Sequence, residues 1–243
     1  ANPLWINGDM QVAQRATSVT GKTSSGYYTC DRVRVLINSI GTYTVIQEAL
    51  TSGNAFDDGF SMAWRIDTTT ADASPAAADS LYFQYNTEGQ DMQLFKKGTS
   101  NAEKFTLAFW VKSNKTGVGS IWLKDKDNSN RQCTQSYTIS VADTWEKKIC
   151  VFGADTTGVL DNDNSEAINI NFMLDTGSDY SSGTANNGTW EAAATTKVNA
   201  DGTLDIADNT ANDWAITGIQ LEVGEYTSTD LPPFRHESFG DNY

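Results

Sequence analysis

The sequence is poor in the residues that carry most catalytic and metal chemistry. Its 243 residues include a single histidine and only three cysteines. A Ser-His-Asp or Cys-His site would have to be built around His236, beside Arg235 and Glu237 in the C-terminal tail. Cys30, Cys133 and Cys150 are too few and too scattered for a disulfide scaffold or a CxxC metal knuckle, so buried, reduced thiols are expected. Cys133 and Cys150 flank an expected hairpin, and spacing alone leaves open whether they meet across it. Basic residues are scarce as well: 17 Lys and Arg stand against 31 Asp and Glu, a net charge of −14. With no run of Lys or Arg, binding to nucleic acid or to an anionic lipid surface is disfavoured. Apolar stretches such as 105–111 fall far short of the ~20 residues of a membrane span, so no membrane insertion is expected. No basic segment followed by an apolar one opens the sequence, so no export signal is expected either.

Helical periodicity is also scarce. What recurs instead is short alternating or β-branched runs, separated by Gly, Asn, Asp, Ser and Thr. Strands are expected over 32–40, 43–49, 59–67, 80–85, 105–113, 119–124, 133–141, 146–152, 167–174 and 214–223. Turn chemistry punctuates them at Asp57-Asp58-Gly59, Glu88-Gly89, Lys97-Gly98, Asn187-Gly188 and Asp201-Gly202. About ten strands with long returns predict an all-β protein, an antiparallel β-sandwich with jelly-roll topology. One domain over 1–243 is expected, with 225–243 as an extended tail. A short helix fits at 100–104 or within 90–96. The polar stretches 68–79 and 176–213 read as surface loops, and loops that long are usually functional or mobile.

Seven tryptophans invite the idea of a sugar platform, because the C–H face of a pyranose packs well on an indole ring. Trp64, Trp110, Trp145 and Trp214 sit in or beside apolar alternating runs and read as packing residues. Trp190 is different: it follows the polar stretch 178–189, where no apolar pattern explains it, and either a binding or an anchoring role fits. Tyr180, Asp179 and Asn186 would supply directional hydrogen bonds to sugar hydroxyls beside it. Trp122, between Ile121 and Leu123, is a further candidate for exposure.

Two segments mimic the start of a calcium loop, Asp125-x-Asp127-x-Ser129 and Asp161-x-Asp163-x-Ser165. Both lack the glycine at position six and the glutamate at position twelve, so solvated turns are expected. No acid stands in an apolar setting that would raise its pKa for general acid catalysis. The sequons at Asn114 and Asn187 read as chance matches.

Six segments in register carry a resemblance. They are Ile6-Asn7-Gly8-Asp9-Met10-Gln11-Val12-Ala13-Gln14-Arg15, Tyr82-Phe83-Gln84-Tyr85-Asn86-Thr87-Glu88-Gly89, Gly98-Thr99, 105–114, 142–148, and the stretch from Asp213-Trp214-Ala215-Ile216-Thr217-Gly218 to Pro232-Pro233-Phe234-Arg235-His236-Glu237. In order and spacing the chain resembles phage tail-fibre receptor-binding domains over nearly its whole length, with Val33 and Ala16 departing from the family's usual residues. The resemblance implies a jelly-roll sandwich similar to carbohydrate-binding modules, displayed as a homotrimer on the virion among other virion proteins after folding in the host bacterial cytoplasm. It implies adhesion to bacterial surface polysaccharide without catalysis. Phe234 and Phe239 of the tail would then be buried against neighbouring subunits. By fold analogy, a structural calcium near the first and last strands would draw on Asp9 or Asp213. The competing expectations are a structural virion component without ligand and, third, a depolymerising glycosidase or lyase.

Overall fold

The computed structural model describes residues 3–238 and 240. Its strands are β1 (Ser18–Lys22), β2 (Val33–Asn38), β3 (Thr42–Ala49), β4 (Met62–Thr70), β5 (Ser80–Glu88), β6 (Phe105–Ser113), β7 (Gly117–Asp125), β8 (Gln132–Ile139), β9 (Glu146–Phe152), β10 (Glu166–Thr176) and β11 (Asp213–Val223). They form two antiparallel sheets, a six-stranded one ordered β1-β3-β4-β11-β6-β9 and a five-stranded one ordered β2-β5-β10-β7-β8. From β4 onward almost every connection crosses from one sheet to the other, which is jelly-roll connectivity.

The period of two decides what each sheet buries. In β5, Leu81, Phe83 and Tyr85 enter the core, and in β6 Phe105, Leu107, Phe109 and Val111 do so. The centre is aromatic: Phe172 stands edge-on to Phe109 and Phe83 at 5.0 and 5.6 Å, and Trp214 stands edge-on to Trp64 at 6.2 Å. A bulge in β11 keeps its core phase intact. Gly218, at φ +60°, lets Trp214 and Ile216 face inward before it and Ile219 and Leu221 after it. A Cβ at Gly218 would lie 2.7 Å from the Phe60 ring, so the position excludes a side chain on both counts.

Each expected strand forms, with ends shifted by a few residues. Unforeseen is β1, an exposed edge strand of polar composition, Ser-Val-Thr-Gly-Lys. The short helix expected near 90–96 is a 3₁₀ segment, Gly89–Phe95. The stretch 68–79 opens with the end of β4, and 176–213 holds a short helix (Ser178–Ser181) and two 3₁₀ turns.

Trp110 packs as expected, though outside the main core. Alternation places it on the outer side of the six-stranded sheet, half-exposed, where it packs on a small cluster with Phe60, Ala63, Trp145 and Ala215. Its Nε1 donates to Asp58 Oδ2 at 3.0 Å. Phe234 also packs there, edge-on to Phe60 at 4.9 Å, so within this chain the tail lies back on its own sheet. Phe239 lies outside the described residues. All three cysteines are buried and free, and burial pushes each thiol up to about 12.

Candidate functional site

The outer face of the five-stranded sheet is the most distinctive surface. Strand register lines up Arg34, Gln84, Asn171, Trp122 and Thr134 in one transverse row over five strands. A second row holds Asn86, Asn169, Lys124 and Gln132, and a third holds Leu36, Tyr82, Met173 and Ser120. The inward residues of the same strands are aliphatic or aromatic, so one alternation yields an apolar core side and an outer side of amides with embedded aromatic rings.

The amides hold one another in place. Gln84 Nε2 donates to Asn171 Oδ1 at 2.7 Å, and Asn171 Nδ2 donates to the Trp122 carbonyl at 3.0 Å. Asn169 Nδ2 donates to Asn86 Oδ1 at 2.8 Å, while Asn86 Nδ2 donates to Glu166 Oε1 at 2.7 Å. Three buried polar atoms of the central row have no partner among the described residues: Arg34 Nε, Trp122 Nε1 and Thr134 Oγ1. A buried donor without a partner costs about 1–3 kcal/mol, so a ligand or water that reaches these atoms gains that much.

The segment 177–203 forms a wall over the β7–β8 side of this face. Val198 and half-buried Tyr180 pack with Trp122, Met173 and Tyr82 in one apolar cluster, and Asn187 bridges to Thr134. Tyr82 and Trp122 lie edge-on with centroids 6.4 Å apart. Burial, followed by nearby Tyr180 and against the pull of Arg34, pushes the Tyr82 phenol up to about 12, so it is a neutral hydrogen-bond donor at neutral pH. Burial and then Lys126 hold the Lys124 ammonium below its ordinary value. The arrangement offers half-buried aromatic surface beside fixed amide donors and acceptors, which suits a neutral, hydroxyl-rich framework.

The structure divides the residues singled out in the sequence. Trp122, Tyr180 and exposed Asp179 gather at this face. Trp190 does not. It is 7% exposed, its ring stands edge-on to Phe105 at 5.9 Å, and its Nε1 donates to the Gly153 carbonyl at 2.8 Å. Its apolar partners come from strands distant in sequence, and the indole closes the core beneath the polar loop rather than presenting a platform. Asn186 sits on the same loop, donating to Glu191 Oε2 at 3.4 Å. Trp122 also corrects the expectation of exposure: it is 7% exposed, and its indole serves as the back of the wall. Gln84, Asn171, Tyr82 and Arg34 went unremarked in the sequence. Their signal was there, amides and aromatics on the outward phase of Tyr82-x-Gln84-x-Asn86 and Asn169-x-Asn171.

Asp9 and Asp213, the alternative candidate donors for a structural calcium, sit in different surroundings. Asp9 and Asp213 are not neighbours: Gly8 accepts from the Ile219 amide, and the six residues from Asp213 to Ile219 span about 20 Å of strand. Asp213 faces Arg65 at 3.2 Å, whereas Asp9 lies 3.4 Å from His236 Nδ1. Among the described residues no group of three or more His, Cys, Asp or Glu is placed to hold a metal. In the first calcium-like segment, Asp125 is fully buried rather than solvated; its Oδ1 accepts from the amides of Asp127 and Asn128 and closes a turn.

One acid does stand in an apolar setting, contrary to expectation. Burial raises Asp175 to about 7, with Asp205 adding to the effect and the Ala207 amide opposing it. At 2% exposure beneath the turn Ile206–Asp208, it is closed to substrate. Two grooves of about 200 and 260 Å³ lie elsewhere, flanking the tail. Leu4, Trp5, Ile219, Gln220 and Phe234 line the first, and its one amide, Gln220, already donates to Glu222 and to the Pro232 carbonyl. Among the described residues no helix is long and apolar enough to cross a membrane.

The sequence matches no family profile and no curated protein. Solved structures similar to it include the enzymatically active domain of tailspike protein 4 of bacteriophage CBA120, at 14% identity over 91% of this chain and 21% of that one, with a TM-score of 0.42. This chain thus spans about a fifth of that domain. A family 11 carbohydrate-binding module of Clostridium thermocellum in complex with a mixed-linked tetrasaccharide is similar at 13% identity, over 92% of this chain and 97% of that one, with a TM-score of 0.39. A C-terminal family 22 carbohydrate-binding module of the same organism's xylanase is similar at 9% identity over 92% and 94%, TM-score 0.39. At these identities and scores the likenesses carry no argument about ligand or activity.

Proposed function

We propose that the chain is a non-catalytic glycan-binding domain that holds polysaccharide on the outer face of the five-stranded sheet. The observation that carries this reading is the central row, where interlocked Gln84 and Asn171 lie between the unpartnered donors Arg34 Nε and Trp122 Nε1, with Tyr82 beside them. The Gln84 amide, braced by fully buried Asn171, meets sugar hydroxyls at the sheet surface, and the tyrosine ring supplies the apolar contact. The resemblance of six segments to phage tail-fibre receptor-binding domains supports the finer reading, adhesion to bacterial surface polysaccharide from a homotrimeric fibre attached to other virion proteins. Single sites on an open face are weak, and three copies on one fibre raise the effective affinity without new contacts.

Binding of the purified domain to a glycan array and to intact bacteria tests the reading. Tyr82→Ala lowers affinity by about 1 kcal/mol or more per site, as for aromatic anchors in general. Trp110→Ala, on the opposite sheet, leaves it unchanged. Absence of binding at millimolar sugar, with a stable fold, points to a structural spacer; new reducing ends after incubation with polysaccharide point to a depolymerase.

A further inference from the structure

Most cations of this acidic chain are neutralised by its own carboxylates. Arg65 meets Glu48, Asp67 and Asp213, Arg131 meets Asp155, and Lys115, Lys148 and Lys197 each meet one acid. Lys22, Arg32, Arg34, Lys124 and Lys126 are different: among the described residues none has a carboxylate at ion-pairing distance. Of these, Arg34 and Lys124 lie on the outer face of the five-stranded sheet. Arg34 rests over the Tyr27 ring at 5.6 Å, and Lys124 over the Trp122 ring at 5.2 Å. The acids nearby are otherwise placed. Glu166 is held by Asn86 and Asn169, and Asp179 is exposed on the wall.

Resting on the glycan-binding reading, we propose that the ligand is an acidic polysaccharide, whose sugar carboxylate meets the guanidinium of Arg34 while Tyr82 packs on the ring and Gln84, braced by fully buried Asn171, meets a hydroxyl. A guanidinium offers two parallel donors to a carboxylate, and Arg34 Nε is already desolvated without a partner. Lys124 lies three strand spacings across, about 14 Å, and two residues, about 7 Å, along the strands, so a chain laid obliquely across them meets a second cation. The net charge of −14 does not forbid this. At 0.1 M ionic strength screening acts beyond about 10 Å, and the groups within that distance decide the local field.

The test uses the full chain and three uronate-bearing polysaccharides, alginate, polygalacturonate and heparosan, each beside its carboxyl-reduced counterpart, which keeps the linkages and loses the charge. Neutral mixed-linked glucan and galactan complete the set, and titration calorimetry is the readout. The expected result is binding to at least one acidic member, weakened about tenfold or more by carboxyl reduction and by Arg34→Gln, with partial recovery in Arg34→Lys and an unchanged melting temperature. Equal affinity for acidic and reduced forms, or binding to neutral members alone, overturns the charge assignment and leaves the glycan reading standing. Binding to no member of either set overturns both.

Discussion

Lys97 holds its ammonium 4.6 Å from the centre of the Trp190 indole, and both residues are buried. The ammonium is ion-paired with Asp125, lies 3.0 Å from Asp155, and donates to the Gly158 carbonyl at 2.9 Å. The one tryptophan that the local sequence leaves unexplained is thus a lid on a buried charge network. Trp190→Ala is expected to destabilise the fold by about 3–5 kcal/mol in urea unfolding, as for large buried aromatics. Trp190→Phe, which keeps a ring over Phe105, retains glycan affinity at full strength.

Lys97→Met removes the buried ammonium that Asp125 and Asp155 share, and breaking a buried pair from one side costs about 3–5 kcal/mol. The loss depends on pH. Burial alone would raise Asp155, but hydrogen bonds from Arg131 and Lys97 outweigh it and hold the carboxyl below its ordinary range. A depressed carboxyl contributes stability that is present above the unfolded value near 4 and lost as pH falls through the folded one. The difference between wild type and variant in urea is therefore largest at neutral pH and shrinks below about pH 4.

Asp175 has the opposite sign. Its folded value of about 7 lies above the unfolded one, so its contribution is complete in acid and is lost as pH rises to about 7. Asp175→Asn keeps an acceptor for the Ala207 amide and removes the buried charge. It should stabilise the protein at pH 8 by about 1–3 kcal/mol and change little at pH 4, read from thermal melts at the two values.

Phe234 packs on Phe60 of its own chain, and the Gln220 amide donates to the Pro232 carbonyl at 2.9 Å. Phe234→Ala is expected to lower stability by about 1–2 kcal/mol. Because the contact lies within one chain, the change in melting temperature is the same across a hundredfold range of protein concentration. A difference that grows on concentration would place Phe234 between subunits.

The sandwich was legible because its strands alternate cleanly: Phe105-x-Leu107-x-Phe109-x-Val111 admits one buried face. The edge strand β1 was not, since an exposed strand of Ser, Thr, Gly and Lys carries no apolar phase. Trp190 misled because its loop is polar while its partners, Phe105 and Lys97, come from elsewhere in the chain. Tyr180 stood out in the polar stretch 178–189, and Trp122 as a ring between Ile121 and Leu123. The amide row was missed because no one strand shows it. Gln84 and Asn171 acquire meaning only once β5 and β10 lie side by side in register.

The most direct test is amide chemical-shift mapping of the labelled protein during titration with a polysaccharide fragment that binds it. The account predicts shifts clustered at Arg34, Tyr82, Gln84, Asn86, Trp122, Asn169, Asn171 and Tyr180. Shifts centred instead on Ala63, Trp110 and Thr217 of the opposite sheet, or on the grooves beside Phe234, would contradict it.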